Sequence, residues 1–86
     1  MPEEKVLSTV DLIRKTRNVL GGEARIGDRR IAVWMLVQAR RLGMTDEQIR
    51  TRYLPPLDQA ELDAAWRYHE AHPAEIDQAI LANEEA

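Results

Sequence analysis

The chain has 86 residues, no cysteine and a net charge of −3 at neutral pH. That length holds one small domain, which buries about 60–65% of the surface its unfolded form exposes, so a dimer would add useful buried area. Without cysteine, disulfide frameworks and thiolate metal sites are excluded. Residues 1–5 are polar and acidic with no signal-peptide core behind them. The longest apolar run, residues 31–37, is far below the ~20 residues that span a bilayer. These features predict a cytoplasmic protein with no membrane role.

The small net charge hides a division. Residues 1–24 are balanced; residues 25–57 carry seven arginines against three acids; residues 58–86 carry Arg67 against eight acids. Such asymmetry points to a basic working surface beside an acidic one. The alternative is that the two regions neutralise each other within one fold.

In chain order, residues 6–9 (Val-Leu-Ser-Thr) suit a sheet edge. Residues 10–20 show no clear period. Gly21-Gly22 is a break. Ala24-Arg25-Ile26 and Arg30-Ile31-Ala32-Val33 flank Gly27-Asp28-Arg29 and predict a tight β-hairpin, because glycine and aspartate tolerate positive φ. Two strands so short need a helix or a second chain to pack on.

From Val33 to Leu42 the period becomes helical, with Met35, Leu36, Ala39 and Leu42 on one stripe. Gly43 suits the left-handed residue that closes a helix. Thr45 and Gln48 form a capping box for a short helix ending near Tyr53, stopped by Pro55-Pro56. Asp58 and Glu61 start a third helix with Leu62, Ala65, Trp66 and His69 on one face. Pro73 suits the first turn of a fourth, anchored by Ile76 and Ile80. The acidic end is expected to fray.

This order predicts a mainly α fold: a trihelical helix-turn-helix core of the homeodomain or winged-helix kind, with a short N-terminal β-hairpin and an extra C-terminal helix. The division expected is an arm or strand over residues 1–20, the hairpin and trihelical domain over 21–72, and an acidic helix and tail over 73–86.

If DNA is bound, the third helix would ordinarily read it. Its outward residues include Gln59, Glu61, Asp63 and Glu70, with Arg67 the one cation. Phosphate attraction supplies most non-specific affinity, so that face is poorly suited. The candidate DNA-binding residues are instead Arg25, Arg29, Arg30, Arg40, Arg41, Arg50 and Arg52. The alternative is that these pair with acids of the last third, within the chain or across a dimer. Candidate partner-binding residues are Trp34, Trp66, Tyr68, Ile76 and Ile80; Trp66, on the apolar stripe, reads as core more than contact, and the alternative for the Ile76 and Ile80 helix is docking on its own domain. His69 and His72 are three apart, but structural zinc usually takes four ligands, and no HExxH is present. Asp58, Glu61 and Asp63 read as helix-start charges rather than an acid–base pair. No nucleophile signature or phosphate-cradling glycine loop occurs. The expectation is a non-enzyme with no cofactor, no metal and no small-molecule substrate.

Residues 21–76 resemble the bacterial family known as domain of unknown function, family 433. The resemblance rests on Gly22, Ile26, Gly27, Arg30, Ile31, Gly43, Thr45, Glu47, Ile49, Leu57, Leu62, Ala65 and Tyr68. It implies an antitoxin-like helix-turn-helix domain, often dimeric, that partners a PIN-type nuclease toxin encoded nearby. Two positions depart from the family pattern. Ala32 stands where proline is common, and Arg52-Tyr53-Leu54-Pro55-Pro56-Leu57 lengthens the loop before the third helix by one residue. The first function expected is therefore an antitoxin-like adaptor that neutralises an RNase toxin and autoregulates its operon. The second is a DNA-binding regulator working through the arginine-rich surface, without a toxin.

Overall fold

A computed structural model describes residues 12–84 and the backbone of residues 5 and 6. Three short strands, β1 (Lys5–Val6), β2 (Ile13–Lys15) and β3 (Arg25–Ile26), form an antiparallel sheet in that order. Four helices follow: α1 (Val33–Arg41), α2 (Asp46–Thr51), α3 (Gln59–Ala71) and α4 (Pro73–Glu84). The expected mainly α, trihelical core with a strand element and an added C-terminal helix is the architecture observed.

The reversal at residues 27–29 forms as its Gly-Asp pair predicts. Gly27 sits at φ 49°, and the Ile26 amide donates to the Ile31 carbonyl at 2.9 Å. The return limb, however, makes one bridge, Arg25 with Ala32, rather than a strand. β3 finds its main partner in β2, with Ile13 opposite Ile26 and Arg14 opposite Arg25. A two-residue strand has too few ladder bonds to stand alone, so a second neighbour and a buried face hold it. Ile13 and Ile26 supply that face and are fully buried. The period-free stretch therefore hides a strand of three residues, too short to show alternation. Of the edge strand expected over 6–9, Val6 lies in β1 and residues 7–9 lie outside the described residues.

Each helix boundary has a local cause. α1 closes in a Schellman arrangement: the Met44 amide reaches the Ala39 carbonyl at 3.2 Å and the Gly43 amide reaches Arg40 at 3.0 Å. Gly43 takes φ 99°, which a side chain would strain. Thr45 and Gln48 cap α2 reciprocally at 2.9 and 3.1 Å. Asp58 and Glu61 do the same for α3, both at 2.9 Å.

α1 is central and packs on α3 and α4, while α2 lies against α1 and α3. Val33, Leu36, Val37 and Ala39 are buried; Leu42, expected on the stripe, is 79% exposed, because the helix has already closed. In α3 the buried set is Leu62, Ala64, Ala65 and Tyr68, with Trp66 and His69 at its margin. α3 also packs on β2 and α4, so its apolar face is turned toward Tyr68. Ile76 and Ile80 of α4 join the same core, with Ile49 and Leu57.

Ile13→Ala is expected to lower unfolding free energy by about 2–5 kcal/mol, the range for a buried isoleucine truncated to alanine. Thr45→Ala removes one cap and should cost about 1 kcal/mol. Urea unfolding of the full chain measures both, and a neutral Ile13→Ala would show that β2 is not part of the cooperative core.

Candidate functional site

The seven arginines do not form one free surface. Arg25 is 5% exposed. Its Nη1 donates to the carbonyls of Gly27 and Arg29 at 2.7 and 3.3 Å, and its Nη2 donates to Thr16 Oγ1 at 2.8 Å. A guanidinium enclosed in this way holds the turn together and is withdrawn from any external phosphate.

Arg29 reaches from the turn to the loop before α3. Nη1 and Nη2 donate to the Pro55 and Pro56 carbonyls, and Nε lies 3.7 Å from Glu61 Oε2. The loop before α3 is thus clamped by this fork at two successive carbonyls. Arg41 donates to Asp77 at 2.7 Å, with His69 Nε2 at 3.5 Å from the same guanidinium. Lys15 meets Glu75 at 3.0 Å and Arg14 meets Asp28 at 2.6 Å. Glu61, Glu75 and Asp77 all belong to the acidic last third. The basic and acidic territories are therefore partly joined inside the fold, as the sequence alternative allowed.

The remaining cations are spread out. The Arg40 guanidinium lies 4.4 Å from the Trp66 ring centre and that of Arg52 lies 5.8 Å from Tyr53. Arg52 also contacts Met44 Sδ at 3.4 Å. Arg30 is exposed at the turn and Arg50 half-buried on α2. Arg30, Arg50 and Arg52 have no carboxylate at ion-pair distance among the described residues.

The proposed partner-binding residues also divide. Ile76 and Ile80 are 2% and 6% exposed, so their side chains serve the chain's own core. Tyr68 is buried, and its hydroxyl donates to Glu75 Oε1 at 2.7 Å. Burial pushes the Tyr68 pKa well above the ordinary tyrosine range, and the Glu75 carboxylate reinforces it. Trp66 is half-buried beneath Arg40. Trp34 is half-buried and donates from Nε1 to Glu23 Oε1 at 3.0 Å. Sequence reasoning missed Glu23, Lys15 and Glu75, because their partners come from distant elements. The sequence places Glu61 at the helix start and facing outward, and gives no sign of its approach to Arg29. Among the described residues the exposed leucines are Leu42, Leu54 and Leu81, with Leu54 93% exposed in the loop before α3.

No group of three or more histidines and carboxylates suited to a metal occurs among the described residues. The His72 ring instead packs on Tyr68 at 4.5 Å. Among the same residues no helix is long and apolar enough to cross a membrane.

Two titrations check these contacts. The hydrogen bond from Arg41 holds the Asp77 carboxyl below the usual range. This ion pair therefore stabilises the fold at neutral pH and is lost as pH falls through the Asp77 pKa. Arg41→Gln should raise the Asp77 midpoint in a carboxyl-carbon NMR titration; an unmoved midpoint would mean the pair does not form in solution. For Tyr68 the sign is opposite, and its contribution fades as pH climbs above the ordinary tyrosine range. Glu75→Gln should lower the Tyr68 midpoint in an alkaline absorbance titration, yet leave it raised by burial.

The family model described as "Protein of unknown function (DUF433)" matches residues 13–69. It begins at Ile13, inside the segment that the sequence suggests is an arm. A crystal structure of a DUF433 member protein from Anabaena variabilis ATCC 29413 is 41% identical, with a TM-score of 0.78, over 81% of this chain and 68% of that one. No curated protein matches the chain. A family match over most of the length, together with a solved relative that shares both sequence and architecture, makes this chain a member of the DUF433 family of proteins of unknown function.

Proposed function

We propose that the chain is a non-enzymatic, antitoxin-like adaptor whose helix-turn-helix core binds and neutralises a PIN-type RNase toxin in the cytoplasm and autoregulates its operon. The observation that carries the choice of a protein partner is the internal use of the arginines. Arg25, Arg29 and Arg41 are engaged with backbone carbonyls, a hydroxyl and carboxylates of the last third. Three cations that would steer the chain to phosphates are thereby spent on the fold, while α3 and α4 keep Glu70 and Glu84 exposed. Exposed carboxylates suit a basic nuclease surface, where complementary potential speeds encounter and rejects wrong partners. The nuclease class itself is carried by the family resemblance. Homodimerisation is part of the proposal, since a domain this small gains stability from further burial.

A second reading, DNA binding without a toxin, draws on Arg30, Arg50 and Arg52, which lack carboxylate partners among the described residues. It places fewer cations at a duplex than the sequence count suggests.

Co-expression with the neighbouring gene is expected to yield a complex in which ribonuclease activity is suppressed. A neighbour that is not a nuclease, or one that does not bind, would remove the toxin role. Charge reversal at Glu70 and Glu84 should slow association about tenfold or more. Gel shifts on the chain's own promoter test the DNA reading: Arg30→Ala with Arg52→Ala should weaken binding and flatten its salt dependence.

A further inference from the structure

A cleft of about 230 Å³ lies where the start of α1 meets the first turns of α4. It is lined by buried Ile76, by half-buried Glu23, Trp34, Glu75 and Ala79, and by exposed Gln78. Its size is the first constraint. Small-molecule sites usually run ~300–1,000 Å³, so this one has room for about one side chain rather than a nucleotide or cofactor.

Its chemistry is the second constraint. Two carboxylates line the cleft, and no basic residue does. Glu75 is already engaged through both oxygens, with Tyr68 at 2.7 Å and Lys15 at 3.0 Å. Glu23 takes the Trp34 indole proton on Oε1, and its Oε2 has no partner among the described residues. With Lys15 set against Glu75, the charge on Glu23 has no cation at ion-pair distance among the described residues. A cation entering here meets that charge, an indole and the Gln78 amide. Ammonium and guanidinium groups both suit a carboxylate, but the planar guanidinium also stacks on aromatic rings and presents five donors to spread over several acceptors.

We propose that this cleft receives one arginine side chain of a protein partner, held by the free Glu23 oxygen and flanked by Trp34. The inference rests on the partner-binding reading above and names a chemical anchor for it. Apolar Ile76 and Ala79 line the space available to the aliphatic stem, and Gln78 offers a further acceptor to the head. Glu23 and Glu75 come from segments far apart in sequence, held together by the docking of α4 on α1, so the cleft exists only in the folded chain.

The test uses the full chain and a capped Gly-Arg-Gly peptide, followed by proton–nitrogen NMR. A Trp66→Phe variant identifies the Trp34 indole resonance. Saturable shifts of that resonance and of the Ala79 amide are expected, with a dissociation constant on the order of millimolar. The same peptide with neutral citrulline should bind at least tenfold more weakly, and the lysine peptide should fall between. Glu23→Gln keeps a carbonyl to accept the indole proton but removes the charge, and should weaken arginine binding about tenfold. Ala79→Leu narrows the cleft without touching its charge and should weaken it as well. Equal binding of the citrulline peptide, or full affinity in both variants, would overturn the proposal. Failure of the adaptor reading looks different. A chain that takes the arginine peptide yet binds no nuclease keeps the cleft and loses the toxin role. One that binds a nuclease equally well with and without Glu23→Gln keeps the adaptor and loses the cleft.

Discussion

A positive charge buried beneath a three-residue turn is the constraint on which the rest of this structure depends. Arg25 is enclosed, and an enclosed guanidinium must find acceptors or carry a large desolvation cost. Nη1 and Nη2 find them in the carbonyls of Gly27 and Arg29 and in the Thr16 hydroxyl, while Nε is buried without a hydrogen-bond partner among the described residues. Those acceptors belong to the turn itself and to the residue that follows β2. One side chain therefore fixes the reversal and its seating on the sheet together. Arg29 carries the same turn across to the loop before α3, where its fork takes two successive proline carbonyls. Proline cannot donate a backbone proton, but it accepts, so the loop is held through the groups it retains.

This arrangement changes what the arginines mean. Counted along the chain, they suggest a basic surface free for nucleic acid. Placed in three dimensions, they divide between clamps, an ion pair with Asp77, stacking on Trp66 and Tyr53, and a few exposed positions. Residual cation density is lower and more scattered than composition implies, whereas Glu70 and Glu84 stay exposed on the helices that end the chain. That redistribution is the ground on which the proposed protein partner rests.

The same logic joins the core to the cleft. α4 docks through Ile76 and Ile80, and that docking brings Glu75 to Lys15 and Tyr68, and Ala79 to the neighbourhood of Trp34. A hydrophobic contact thus positions a polar site. Disturbing the apolar anchors would disperse the carboxylates, even though no anchor touches a ligand's charge.

Much of the helical architecture was legible from local chemistry. Capping boxes at Thr45 and Asp58, Gly43 at the end of α1 and Pro73 at the start of α4 each act within about one helical turn, so residues a few positions apart suffice to reveal them. What tertiary structure alone decided was every contact between distant segments. β2 was invisible because three residues give no period to read; its burial comes from pairing with Ile26. Tyr68, beside the expected stripe, became core because α3 packs on two sides, and Leu42, on the stripe, stayed outside because α1 had ended. The fate of the arginines was likewise undecided by order along the chain, since an ion pair depends on separation in space and a count of charges carries no distances.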